Sequence, residues 1–344
     1  MNQQPDIQRL TQFECIKLLS DERRLAILRL LMGQPATLSQ LADRLETYPA
    51  KIRHHLKKLE QANLVELVST QIVGGFVEKY YRATAGAYTI NLAITPTPPA
   101  AGAVVALGSH DLALEQLARL LADNTAVPSL FTVPVGSLDG LIGLRQGVGQ
   151  LAGAHLPDDD GGSGFNQAPD FNRAYVRRLF PGRAMTLLTL AHRQQGLLVA
   201  AGNPKQIEGL ADLVRPELVF VNRQPGTGTR VWLEQQLGRL GLDLAGVNQY
   251  GRIAHTHHEV AQTIVAGQAD VGLGILAAAH LTGLDFIPLF EERYDLVLPT
   301  DSIDEPLLQP LFDTMQTAVF RQAVQQLAGY DVAHTGSQQV VGSA

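Results

Sequence analysis

The sequence predicts a multidomain chain, an α+β head followed by a larger α/β body, and three observations carry that reading. The first ninety residues place apolar side chains at helical spacing and then turn to strand-like runs. Thr95-Pro96-Thr97-Pro98-Pro99 interrupts the chain with three prolines, which neither a helix interior nor a central strand accepts. Beyond residue 103, short apolar runs alternate with helical patterns, as in parallel sheets covered by helices.

Bulk properties fit this division. The chain has 344 residues, 45% apolar and 17% charged, which is globular composition with room for more than one core. Its net charge of -6 is unevenly spread: residues 1–88 hold 12 Lys/Arg against 9 Asp/Glu, and the remainder 15 against 24. A basic head attracts a polyanion that an acidic body repels. The longest apolar stretch, Ala266 to Leu284, is broken by Asp270 and four glycines, so no membrane partner is expected. The first residues lack the basic-then-apolar pattern of a secretory leader. Cys15 is the only cysteine, which leaves no internal disulfide and no cysteine-cluster metal site. A cytoplasmic protein without cofactor or metal is expected.

Within the head, Ile16, Leu19, Leu25, Ile27, Leu28, Leu30 and Leu31 form an apolar face. Gly33-Gln34-Pro35 ends that segment, and Thr37 is placed to cap a short helix, Leu38 to Leu45. A second helix is expected from about Ala50 to Ala62, with Pro49 in its first turn. Ile52, Leu56 and Leu59 make its buried stripe, while Lys51, Arg53, His54, Lys57 and Lys58 take the rest of its surface. Short helix, tight turn and basic amphipathic helix together form a helix-turn-helix, whose second helix enters the major groove of double-stranded DNA. Arg53 and His54 are the candidates for base edges, since Arg pairs in bidentate fashion with guanine. Lys51, Lys57 and Lys58 suit phosphates. The runs around Gly74-Gly75 read as a hairpin wing, with Lys79 and Arg82 near the backbone.

Residues Phe13 to Thr84 resemble the ArsR-type winged-helix regulators. The resemblance rests on Leu18-Leu19-Ser20-Asp21-Glu22-Arg23-Arg24-Leu25-Ala26-Ile27-Leu28, on Leu38-Ser39-Gln40-Leu41-Ala42 and on Ile52-Arg53-His54-His55-Leu56-Lys57-Lys58-Leu59. It implies DNA binding and a homodimer reading two half-sites. Many members sense metals through paired cysteines, which this chain lacks, so sensing is expected elsewhere.

In the body, Val104–Leu107, Leu130–Val135 and Leu151–Leu156 read as strands, and the first two are each followed by Gly-Ser and a helix. Leu218–Asn222 leads to Arg223-Gln224-Pro225-Gly226-Thr227-Gly228-Thr229-Arg230 and another helix, and Thr256-His257 opens one more. A helix start offers free amides and a positive dipole end, and Ser or Thr adds an uncharged donor. Ser109, Ser137, Thr227, Thr229, Thr256 and Arg230 are therefore the candidates for holding a small anion; Arg193 and Arg223 either add charge or brace loops. No Gly-Lys-Ser/Thr follows the glycines of 226–228, so this is not a nucleotide loop. No catalytic constellation is evident: Ser137, His155 and Asp139 lack the nucleophile-elbow pattern. The histidines fit no metal motif.

The body, from Gly108 to Leu298, resembles the type II periplasmic-binding-protein fold, in the substrate-binding form fused to helix-turn-helix regulators and to molybdopterin-biosynthesis proteins. Gly108-Ser109-His110-Asp111, Gly136-Ser137, Ala154-His155-Leu156, Asn222-Arg223, Ala269-Asp270-Val271-Gly272-Leu273-Gly274 and Glu292-Arg293-Tyr294-Asp295-Leu296 carry it. The resemblance implies two lobes closing on a ligand and suggests an oxyanion such as molybdate or tungstate. The expected layout is a head at 1–90, a linker at 91–102, a body at 103–335 and a frayed tail at 336–344. Lobe one would be 103–192 plus 293–335, and lobe two 196–288, with crossings near His192–Gly196 and Leu289–Tyr294. The function expected is a ligand-responsive transcriptional regulator; the alternative is an enzyme or binding protein handling a molybdopterin-type cofactor.

Overall fold

The computed structural model describes residues 7–10, 13–73, 76–90, 102–124, 126–158 and 170–342. The chain divides between Ile94 and Thr95 into two compact units. The Gly74-Gly75 turn and most of the proline-rich linker lie outside the described residues.

The first unit runs β1 (Ile7–Leu10), α1 (Phe13–Leu19), α2 (Glu22–Gly33), α3 (Leu38–Arg44), α4 (Pro49–Gln61), β2 (Val65–Val73), β3 (Phe76–Ala83) and β4 (Ala87–Ile90). Asp21 caps α2, its carboxylate accepting from the amides of Arg23 and Arg24. Thr37 and Gln40 form a reciprocal capping box at the start of α3. Pro49 occupies the first turn of α4, and Asn63 follows it at φ 54. Ile52, Leu56 and Leu59 of α4 pack with Ile27, Leu28, Leu31 and Leu41 in one core. β2 and β3 pair antiparallel, and Ala36 bridges to Tyr81, tying the hairpin to the α2–α3 connection.

The second unit continues with β5 (Ala103–Gly108), α5 (Leu112–Ala122), β6 (Ser129–Pro134), α6 (Ser137–Gln146), β7 (Leu151–Ala154), α7 (Arg173–Leu179) and β8 (Met185–Val199). Then come β9 (Phe220–Arg223), α8 (Gly228–Arg239), β10 (Ile253–Ala254), α9 (His257–Val265), β11 (Val271–Ile275), α10 (Leu276–Thr282) and β12 (Asp285–Pro299). The last elements are α11 (Gln309–Gln316), α12 (Ala318–Gln325), β13 (Tyr330–Asp331) and β14 (Gln338–Val341).

The strand order is β10-β9-β11-β8-β12-β7-β5-β6. β5 pairs parallel with β6 and β7, and β9 pairs parallel with β10 and β11, as alternation of strand and helix requires. β8 and β12 are long, antiparallel to each other and shared by both halves. β12 joins β7 through Asp295 to Val297, and β8 joins β11 through Gln195 to Val199. The handover from lobe to lobe therefore falls near Gln195 on one strand and Tyr294 on the other. A register shift in β12 between Tyr294 and Asp295 marks the same place.

One sequence expectation needs correction. Residues 336–342 are not a frayed tail: β14 pairs with Met185–Leu188 of β8, and Val341 is buried beside Met185 and Leu187. The Thr335 hydroxyl donates to the Leu190 carbonyl just before this strand. Polar composition hid a strand in which Val341 is the buried residue and Val340 faces solvent.

Candidate functional site

In the first unit, α4 buries Ile52, Leu56 and Leu59 and exposes Lys51, Arg53, His54, Lys57 and Lys58. Lys79 is exposed on β3. Arg53, Lys57 and Lys79 line a groove of about 620 Å³ between α4 and the hairpin, together with Thr37, Ser39, Glu60 and Glu78. Arg82 is half-buried and faces Glu66 at 3.4 Å, its partner in the ladder. It is thus already engaged, whereas Lys51, Arg53, Lys57 and Lys58 of α4 make no ion pair among the described residues. His55 turns away from that face toward Asp21, 3.8 Å away, and burial lowers its pKa.

In the second unit the hydroxyl-bearing helix starts gather where the lobes meet. Gly136 turns the chain into α6 at φ 95, a conformation glycine adopts readily. The Leu138 amide donates across to the Gly226 carbonyl at 3.0 Å, so the beginnings of α6 and α8 touch. Ser109 and Ser137 are buried and share a hydrogen bond of 2.9 Å, and Ser137 Oγ accepts from the His155 amide. Thr229 Oγ1 accepts from Gln195 Nε2 at 2.9 Å. Thr227 is buried, and its hydroxyl donates to the Gln224 carbonyl. A Cβ on Gly228 would run into the His155 carbonyl, so α8 can lie this close only with glycine there.

Two of the candidates are spent on local structure. Thr256 caps α9, accepting from the Glu259 amide. Arg230 pairs with Glu234 at 2.8 Å and lies 5.0 Å from the Tyr250 ring, so its charge is matched within the lobe.

The charge at the centre comes instead from Arg193 and Arg223. Both are fully buried, yet their circumstances differ. Arg193 sits between Asp111 at 2.5 Å and Glu292 at 2.6 Å. Burial works against its charge, but the two carboxylates outweigh it and hold its pKa well above the usual range. Asp111 also caps α5 and accepts from the Tyr330 hydroxyl. Glu292 additionally accepts from Gln195 Nε2 and from His155 Nδ1, both at 2.8 Å. Burial would raise its pKa, but Arg193 and His155 bring it down to about 2.

Arg223 has no such match. Nη2 donates to the His255 carbonyl, whereas Nε and Nη1 are buried with no partner among the described residues. Burial, reinforced by Arg193, outweighs the pull of Glu292 and Glu259 and pushes its pKa down to about 9. His257, the first residue of α9, is likewise buried with neither ring nitrogen partnered; burial and then Arg223 drive its pKa well below normal. A buried cation with two donors unpartnered among the described residues, in electrostatic reach of the buried rings of His155 and His257, is arranged to receive a negative group. The sequence names Arg230 among the anion candidates and leaves Arg223 between adding charge and bracing a loop. The signal that separates them is the strand itself: Arg223 is its last residue, whereas Arg230 lies a turn into α8.

A two-lobed ligand-binding module whose lobes share two long crossing strands is the class that this fold defines. The chain belongs to the PBP superfamily, whose domain model matches residues 118–316. Residues 21–66 match the bacterial regulatory protein, arsR family, and the first unit is a helix-turn-helix domain of that family. The protein YvgK of Bacillus subtilis (strain 168) is 34% identical over 232 residues, covering 67% of this chain and 72% of that one. Among solved structures, an ABC-type phosphate transport receptor from Vibrio cholerae is 14% identical with a TM-score of 0.43, covering 66% of this chain and 98% of the other. A hydrogen-peroxide-bound OxyR mutant from Corynebacterium glutamicum is 14% identical with a TM-score of 0.45, covering 89% and 94%. No helix among the described residues is long and apolar enough to cross a membrane.

Proposed function

We propose that the chain is a transcriptional regulator that binds DNA through α4 and the β2–β3 hairpin and responds to a small anion held between its lobes. The observation that carries this reading is Arg223, a fully buried guanidinium with two donors unpartnered and no ion pair among the described residues. An isolated buried charge is costly, and an anion is what removes the cost. Ser109, Ser137 and Thr229, with the start of α8, supply uncharged donors around it. Molybdate and tungstate are the oxyanions that the fold resemblance implies, and they enter the test beside sulfate and phosphate. Ligand closure would shift the population of one lobe arrangement and so alter operator affinity. A homodimer reading two half-sites and acting in the cytoplasm completes the reading. A non-enzymatic role is favoured because the buried polar groups pair to orient one another rather than to activate a nucleophile.

The test uses the full chain. Thermal unfolding is followed with molybdate, tungstate, sulfate and inorganic phosphate, and gel shifts are run on DNA upstream of its own gene and its neighbours. A rise in melting temperature with one anion, and an anion-dependent shift of a specific fragment, are expected. No specific DNA binding at low salt, with or without anion, overturns the regulator; no response of the melting temperature to any anion overturns the ligand class.

A further inference from the structure

The polar groups around Arg223 are not all donors, and this narrows the ligand. Glu292, ionised and buried, only accepts hydrogen bonds. It accepts from His155 Nδ1 at 2.8 Å, which fixes the proton of that ring on Nδ1 and leaves Nε2 as a bare lone pair. It also accepts from Gln195 Nε2 at 2.8 Å, which fixes that amide so that its nitrogen faces the carboxylate and its oxygen does not. His155 Nε2 and Gln195 Oε1 are each buried with no partner among the described residues. Both residues are at least 99% buried, so neither atom has bulk water to turn to. One carboxylate therefore orients two acceptors, in the same cluster where Arg223 Nε and Nη1 and Arg193 Nη2 are unpartnered donors.

We infer that this cleft takes an anion that carries its own hydrogen-bond donor, an acidic oxygen beside a hydroxyl, in preference to a fully deprotonated oxyanion. The inference rests on the anion-binding reading above and specifies its ligand. Its oxyanion end would meet Arg223 and its hydroxyl would donate to Gln195 Oε1 or His155 Nε2. Molybdate, tungstate and sulfate carry no proton near neutral pH and would set oxygen against those acceptors, leaving both unsatisfied and repelled. Burial keeps His155 neutral, and its pKa is lowered despite Glu292, so the ring does not readily become a donor. Two sources share the required chemistry, hydrogen phosphate and a small hydroxy acid.

Isothermal titration calorimetry of the full chain at pH 8 tests this with two matched pairs, inorganic phosphate against sulfate and lactate against propionate, and with molybdate as a further proton-free oxyanion. The hydroxyl-bearing member of one pair is expected to bind at least tenfold more tightly, and the pair that shows the difference identifies the source. Gln195→Met, which removes one of the two acceptors, should reduce that preference. Should Gln195→Met fail to fold, the wild-type comparison still decides. Sulfate or molybdate binding as tightly as every hydroxyl-bearing anion overturns the inference and leaves the anion reading standing. Binding of none of the five overturns both.

Discussion

Replacing Arg223 with methionine isolates the feature on which the ligand site depends. Methionine keeps an unbranched side chain of similar reach and removes the charge. A guanidinium pKa lowered from 12.5 to about 9 corresponds to roughly 5 kcal/mol against the charged form, at about 1.4 kcal/mol per tenfold. Relaxation around the site reduces what is recovered, and apolar replacement of buried charges typically gains about 1–4 kcal/mol. In a unit of this size each kcal/mol moves the melting temperature by about 2–4 °C. Arg223→Met should therefore melt several degrees higher than the parent when neither holds ligand. The same variant should lose the anion-induced rise, because the ligand's counter-charge is gone. Differential scanning calorimetry with and without inorganic anion reads both effects. A variant that melts lower than the parent and still responds to the anion would refute the argument.

Other expectations follow from the same geometry. Glu292→Gln leaves Arg193 with Asp111 alone and should cost about 3–5 kcal/mol near neutral pH. The folded-state pKa of Glu292 is depressed, so its contribution is present above the unfolded value of 4.5 and is lost as pH falls toward about 2. Denaturant titrations should accordingly show the gap between parent and variant closing across that acid window. Gly228→Ala places a methyl against the His155 carbonyl; the unit should fold but resist closure, and calorimetry should show the anion bound at least tenfold more weakly. Lys57→Ala should weaken DNA binding on all sequences and reduce the slope of log affinity against log salt by about 1. Arg82→Ala should change that slope less, since Arg82 already faces Glu66.

The first unit was legible because its signals are local. A capping threonine, a proline in the first turn and apolar residues at spacings of three and four place α3 and α4 without knowledge of anything distant. The strand and helix order of the second unit was legible for the same reason. What resisted reading was pairing across long separations. Arg193 meets Asp111 and Glu292 over 82 and 99 residues, and Glu292 meets His155 over 137. No periodicity reports such contacts, so a matched arginine, a bracing arginine and an unmatched one look alike in sequence. Arg230 was chosen because it stands beside Thr227-Gly228-Thr229; the i,i+4 carboxylate at Glu234, visible in the sequence, already offered it a partner. The hydroxyls at Ser109, Ser137, Thr227 and Thr229 were found from helix-start chemistry, although the structure uses several of them to hold neighbours in place.

The position of β14 bears on how the polypeptide acquires its shape during synthesis. The first unit is built from one uninterrupted stretch and completes its core once residue 90 has been made. The second cannot finish in that way. β8 must wait some hundred residues for β12 to fill one side, and about forty more for residues 338–341 to cover its remaining edge. A nascent chain would thus present a finished head while the exposed flank of β8 still required shelter from unwanted strand partners.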